Sequence, residues 1–129
     1  MVEIWILDDD RGILEVIQMI LEGTGYMVRV FSSTTRLKKD FKESLPDLFL
    51  FDVLLAGENG AEFAKQCKGR PLLSKIPIIL MSAQGNLKEK CRISGAEDYI
   101  VKPFDIDELQ EKIKKVIEEN KNPSNRASV

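Results

Sequence analysis

Leu48-Phe49-Leu50-Phe51-Asp52 is the stretch on which the fold turns. Four consecutive apolar residues, two of them Phe, are the pattern of a strand covered on both faces, as central strands of parallel sheets are. The run stops at a carboxylate and passes into Ala56-Gly57-Glu58-Asn59-Gly60, which reads as a Gly-rich loop. In open α/β sheets ligands bind beyond the carboxyl ends of the strands, so a strand-terminal Asp marks a place where chemistry can gather.

Working outward, the same grammar repeats. Upstream, Val2 to Leu7 is an apolar run closed by Asp8-Asp9-Asp10. Ile13, Leu14, Ile17, Ile20 and Leu21 form a helical stripe, with Asp10 placed to cap its start and Gly23 just past its end. Met27 to Phe31 predicts a second strand. Ser32-Ser33-Thr34 offers the cap of a weaker helix through Leu37 and Phe41, and Pro46 helps to end that segment.

Downstream, Asn59 and Glu62 give a capping-box-like start to a helix containing Phe63, Ala64 and Cys67. Pro71 to Pro77 is a connection. Ile78 to Met81 predicts a fourth strand ending at Ser82, followed by a short polar helix, about Leu87 to Ile93, stopped by Gly95. Tyr99-Ile100-Val101 is the fifth strand and ends at Lys102-Pro103. The last helix is capped by Asp105, with Glu108 three residues on and Phe104 stapled to Leu109. Its stripe is Ile106, Leu109, Ile113, Val116 and Ile117. Five strand-then-helix units predict an α/β fold, a parallel sheet with right-handed crossovers and helices on both faces. The expected organisation is one domain, residues 1–120, and a flexible C-terminal tail, 121–129.

Composition narrows the function. The 129 residues suffice for one domain with a sizeable core. A net charge of −2 gives no general affinity for nucleic acid or anionic lipid. Apolar runs are far shorter than a membrane span, and the start Met-Val-Glu-Ile-Trp lacks signal-peptide architecture, so a cytoplasmic location is expected. Cys67 and Cys91 read as reduced, half-buried helix residues. The sequence contains no His, which excludes a Ser-His-Asp triad, a Cys-His pair, a His-ligated metal and a phosphohistidine carrier.

If the strands are parallel, four of them deliver polar groups to one edge: Asp8 and Asp9, Asp52, Ser82, and Lys102. Crowded carboxylates repel one another and partly protonate unless a cation neutralises them. An all-oxygen acidic site suits Mg²⁺, which takes few protein ligands and keeps water and phosphate oxygens. A carboxylate can attack phosphorus to give an aspartyl phosphate, and it needs no general base because it is already ionised. A hydroxyl (Ser82) and an ammonium (Lys102) complete the groups that phosphoryl transfer asks for. Singly, each has an ordinary reading as a cap, a turn residue or a surface lysine. Their joint placement at four strand ends carries the argument.

With those residues in view, the sequence resembles the receiver domains of two-component response regulators up to about residue 120. The matching features are Asp8-Asp9, Asp52, Ser82-Ala83, Tyr99 and Lys102-Pro103-Phe104, in that order. The resemblance implies a flavodoxin-like doubly wound sheet of order 2-1-3-4-5 with five helices. It implies that Asp52 accepts a phosphoryl group from a sensor histidine kinase or a histidine phosphotransfer protein. Mg²⁺ would sit on Asp9, Asp52 and the Leu54 backbone carbonyl, with Asp8 acting through water. Lys102, before a cis Pro103, would pair with the phosphoryl group. Ser82 and Tyr99 would act as the switch, altering a face of the fourth helix, fifth strand and fifth helix that meets a downstream protein or forms a phosphorylation-dependent dimer.

A receiver of this kind is not an enzyme toward other substrates, and does not itself bind nucleic acid or membrane. One departure is Ala56, where the family usually has Pro, from which a more mobile loop over the site is expected. Two alternatives stand beside this reading. One is a pseudo-receiver that binds partners without phosphorylation. The other is a haloacid-dehalogenase-like phosphatase using Asp8, whose Asp8-x-Asp10 mimics that family's nucleophile motif.

Overall fold

The apolar runs become strands and the striped segments helices. The computed structural model describes residues 1–121. Its elements are β1 (Glu3–Leu7), α1 (Arg11–Gly23), β2 (Met27–Phe31), α2 (Thr34–Asp40), β3 (Leu48–Asp52), β4 (Leu54–Leu55), β5 (Glu58–Asn59), α3 (Gly60–Lys68), β6 (Ile78–Ser82), α4 (Leu87–Ser94), β7 (Asp98–Val101) and α5 (Ile106–Lys121). Five strands form one parallel sheet in the order β2-β1-β3-β6-β7. With the β4–β5 hairpin set aside, that is the order 2-1-3-4-5. Helix α5 takes in Lys121, and the rest of the expected tail, 122–129, lies outside the described residues.

Side chains alternate across a strand, and here the alternation sorts the core into two layers. Ile4, Ile6, Leu48, Leu50, Ile79 and Met81 face α1 and α5. Trp5, Leu7, Phe49, Phe51, Ile78 and Leu80 face α2, α3 and α4. The second layer is aromatic: Trp5 stacks on Phe41 at 5.9 Å, and Phe49 tilts against Phe51 at 4.9 Å. This explains why β3 reads as an unbroken apolar run, since both of its faces are covered.

The helix starts follow their caps. Asp10 accepts from the Ile13 N–H, Ser33 from Arg36, and Asn59 from both Ala61 and Glu62. The Leu109 N–H bonds back to the Asp105 carbonyl at the start of α5, and Phe104 packs in the same cluster as Leu109. Asp105 thus serves α5 through its backbone carbonyl, and helix α4 starts differently again. Its first flanking residue, Asn86, holds a left-handed φ of 62° and makes no side-chain cap.

Three expectations need correcting. The Gly-rich loop after Asp52 is a two-stranded hairpin, pairing Leu54 with Asn59 and Leu55 with Glu58; two-residue strands are too short to leave a periodic signal. Helix α1 includes Gly23, and the left-handed turn that follows falls on Gly25 instead. Cys67 and Cys91 are buried rather than half-buried, both with free thiols. Burial pushes each thiol up to about 11, which keeps it protonated.

At the end of the sheet opposite Asp52, Lys68 is the tie. Its ammonium donates to the carbonyls of Ser74 and Ile76 and to Glu97, whose other oxygen takes the Ile78 N–H. One cation thus fastens α3, the 69–77 connection and the entry to β7.

Phe49 is fully buried and touches the Trp5, Phe41 and Phe51 rings. Phe49→Ala is expected to lower unfolding stability by about 3–5 kcal/mol in urea titration. A loss below about 1 kcal/mol would show that the aromatic layer can collapse around the cavity.

Candidate functional site

Register builds the site. Leu7 lies beside Phe51, so the next residues, Asp8 and Asp52, emerge side by side at the strand ends. Asp52 is level with Met81, so Ser82 stands one step further out, level with Val101, and Lys102 follows. Four residues scattered over 95 positions of sequence become neighbours because parallel strands all end on the same edge.

Lys102 joins the two inner carboxylates. Its Nζ lies 2.7 Å from Asp8 Oδ2 and 3.2 Å from Asp52 Oδ2. Asp8 is fully buried, and its other oxygen accepts the Asp10 N–H at 3.0 Å. Asp52 is 6% exposed, and its Oδ1 accepts the Leu54 N–H at 3.3 Å. Asp9 is exposed, with Oδ2 accepting the Ala56 N–H at 2.7 Å.

Burial first, and then the neighbouring Asp8 charge, raise the Asp52 carboxyl to about 6, with Lys102 pulling only part of the way back. Burial alone would lower the Lys102 ammonium, but the hydrogen bond and charge of Asp8, followed by Asp52, outweigh it and raise the value. The ammonium therefore stays charged at neutral pH. One cation facing three carboxylates leaves the site short of positive charge.

A divalent cation fits that deficit. Asp8, Asp9 and Asp52 each offer an oxygen, and the three lie within 4.8 Å of one another. An all-carboxylate donor set suits a hard cation of the Mg²⁺ type.

The remaining predicted residues are placed as follows. Ser82 is buried, and its Oγ accepts the Gln84 N–H at 3.0 Å. Tyr99 is half-buried against the aromatic layer, with the Lys112 ammonium 5.4 Å from its ring centroid. The Leu54 side chain is 60% exposed, and its N–H is the one that Asp52 Oδ1 accepts. The Lys102–Pro103 peptide is cis.

Sequence reasoning did not single out Gly60. A Cβ there would lie 1.9 Å from the Asp52 carbonyl oxygen, so the hairpin and α3 pack directly on the Asp52 backbone. Glu58 was also missed: its carboxylate takes the Thr34 hydroxyl at 2.6 Å and the Thr34 N–H at 3.2 Å, tying the hairpin to α2. The loop expected to be mobile is hydrogen-bonded at both sides.

The response regulator receiver domain family model matches residues 4–114. The chain belongs to that family. The phosphate regulon transcriptional regulatory protein PhoB of Pseudomonas aeruginosa is 37% identical over 116 residues, covering 88% of this chain and 51% of that protein. The DNA-binding transcriptional regulator NtrC of Escherichia coli is 33% identical over 128 residues, covering 95% of this chain and 27% of that protein. This chain therefore spans about half, or less, of these curated relatives.

Among solved structures, a CheY-like response regulator receiver domain protein of Methanospirillum hungatei superposes with a TM-score of 0.87 at 28% identity, covering 95% of this chain and 98% of the other. The signal receiver domain of a Syntrophus aciditrophicus signal transduction histidine kinase gives 0.86 at 28% identity, covering 95% and 94%. Among the described residues of this receiver, no helix is long and apolar enough to cross a membrane.

Two outcomes follow for this receiver. Gly60→Ala must push the Asp52 backbone aside, and is expected to cost at least about 2 kcal/mol in chemical unfolding; a neutral result would mean that the hairpin yields freely. The second concerns pH. A carboxyl raised in the folded state contributes stability that is present below its unfolded value and lost as pH rises through the folded one, here from 3.8 to about 6. In metal-free buffer, Asp52→Asn should therefore gain on the parent as pH rises from 4 to 6, levelling at a lead on the order of 1–3 kcal/mol. A lead independent of pH would contradict this origin.

Proposed function

We propose that this receiver accepts a phosphoryl group on Asp52 in a histidine-to-aspartate phosphorelay. The observation that carries the reading is the strand-terminal Asp52, ringed by Asp8 and Asp9 and bonded to Lys102. Mg²⁺ would be held by Asp9, Asp52 and the Leu54 carbonyl, with Asp8 reached through water. When bound, it neutralises phosphoryl oxygens.

The chain's own residues supply the rest. An Asp52 oxygen attacks phosphorus, the P–N bond of a phosphohistidine breaks, and its electron pair returns to the imidazole nitrogen. Phosphorylation takes one charge from the carboxylate, and Lys102 turns its ammonium from Asp52 to the phosphoryl oxygens. The Ser82 hydroxyl moves to donate there, giving up its bond with Gln84, and Tyr99 follows it inward. Asp8 is the poorer nucleophile, because it is fully buried whereas Asp52 keeps some exposure to an approaching donor. That disfavours the phosphatase alternative.

The donor would be a sensor histidine kinase or a histidine phosphotransfer protein. A groove of about 720 Å³ runs between α1 and α5 and ends at Asp10, Ala83 and Lys102 beside the acceptor. Its exposed rim residues Val16 and Ile106 suit the apolar side of a donor helix. Output would pass through the α4–β7–α5 face, where Ile93 and Val101 are exposed. That face would meet a downstream protein or a second receiver. The domain catalyses only its own phosphorylation and dephosphorylation and is not an enzyme toward other substrates. Its net charge gives it no direct role at nucleic acid or membrane. A cytoplasmic location agrees with the free thiols of Cys67 and Cys91.

The test is intact-protein mass spectrometry after incubation with Mg²⁺ and acetyl phosphate. A single phosphoryl adduct is expected on the parent, and none on Asp52→Asn or without Mg²⁺. An adduct that survives in the variant would transfer the role to Asp8, and none on the folded parent would leave a pseudo-receiver.

A further inference from the structure

The sheet ends at β2, which pairs with β1 alone. The Met27 N–H donates to the Val2 carbonyl, and the Phe31 carbonyl accepts the Asp8 N–H. Backbone groups in a parallel ladder alternate in direction from one residue to the next. Met27, Arg29 and Phe31 therefore turn their amides and carbonyls toward β1, and Val28 and Val30 turn theirs outward. An open row of this kind is a template on which another strand can form. A groove of about 570 Å³ runs along it, with Gln18 of α1 on one side and Arg36, Lys39 and Asp40 of α2 on the other.

The charge along this groove has one sign. Asp40 is engaged by Arg29, the guanidinium of which also pairs with Glu3. Arg36 and Lys39 are exposed, and among the described residues neither side chain has a hydrogen-bond or ion-pair partner. Charge beside an edge commonly serves only to keep other strands away. Here it repels a second copy of this chain, because two β2 edges brought together would set Arg36 and Lys39 against the same pair. Residues 122–129 offer no complement either, with one Arg and no acidic residue. An acidic strand meets no such obstacle.

We propose that the β2 edge is a docking site for an extended acidic segment of a partner protein, which adds to the sheet as a further strand while its carboxylates meet Arg36 and Lys39. Main-chain bonds to Val28 and Val30 supply affinity whatever the segment's sequence, and the two cations select for acidic side chains. β2 and β7 are the opposite edges of the sheet, so an occupant here leaves the α4–β7–α5 face free. The inference does not depend on phosphoryl chemistry at Asp52.

The experiment is fluorescence anisotropy of the full chain with a fluorescein-labelled peptide of alternating Glu and Val, with thermal melts to show that each variant is folded. The peptide is expected to saturate below about 1 mM, and one of alternating Lys and Val is not. Arg36→Glu combined with Lys39→Glu should weaken binding at least about tenfold. Val30→Pro removes an outward N–H without touching the bonds to β1, as Pro is tolerated on an edge strand, and should weaken it about fivefold. Val30→Thr, which keeps the N–H, should match the parent. Hydrogen exchange reads the same bonds without a variant, since the Val28 and Val30 amides are expected to slow when the Glu peptide is bound. Unchanged exchange, or full binding by a folded Val30→Pro, would overturn strand addition, because charge alone would then be holding the peptide. No binding by the parent, or equal binding of the Lys peptide, would overturn the proposal outright. A parent that sediments as a dimer, and as a monomer after Val30→Pro, would overturn it by giving the edge to a second copy.

Discussion

Everything at the working edge depends on one ammonium shared between two buried carboxylates. Asp8 and Asp52 come from adjacent strands, and both are withdrawn from water. Uncompensated, a pair of like charges in that position would cost several kcal/mol or force one to protonate. Lys102 answers the problem from β7, which lies two strands from β3, roughly 10 Å away at the usual strand spacing. A four-carbon stem spans that gap across β6, so the strand order and the ion pair require each other. Ser82, on the strand between, is then carried to the same edge without any separate instruction.

The sheet is the part most fully written in the sequence, for a physical reason. Strands covered on both faces must be apolar at every position, so β3 and β6 announce themselves as continuous runs, and the carboxylate or hydroxyl that ends each run stands out against it. The caps supplied by Asp10, Ser33 and Asn59 are legible because they are local, each bonding within three residues of its own position. Asp8, Asp52 and Lys102 could be grouped from the sequence alone because parallel strands leave little freedom about where their ends meet.

What the sequence concealed was carried by backbone or by distance. The Ala56 amide that holds Asp9 is a property of every non-proline residue, and nothing in the side chain advertises it. The Glu58–Thr34 bond joins residues 24 apart with no shared pattern. Gly60 resembles any small residue at a helix start, and only its closeness to the Asp52 carbonyl explains why no side chain is admissible there. The hairpin in this loop was hidden for the same reason. Gly57 loosens the unfolded chain, but once its positive φ is met by a turn, the hairpin closes and its hydrogen bonds hold it.

The two ends of the sheet are also unequally secured. At the end away from Asp52, Lys68 gathers three separate segments onto one half-buried cation, and none of its partners belongs to the acidic site. At the chemical end, α4 starts from a strained, uncapped Asn86, so its first turn sits in a shallower energy well. The molecule is thus moored at one end and slack at the other. Any rearrangement above the strands would draw on the slack end and leave the Lys68 tie, and the core it closes, as they are.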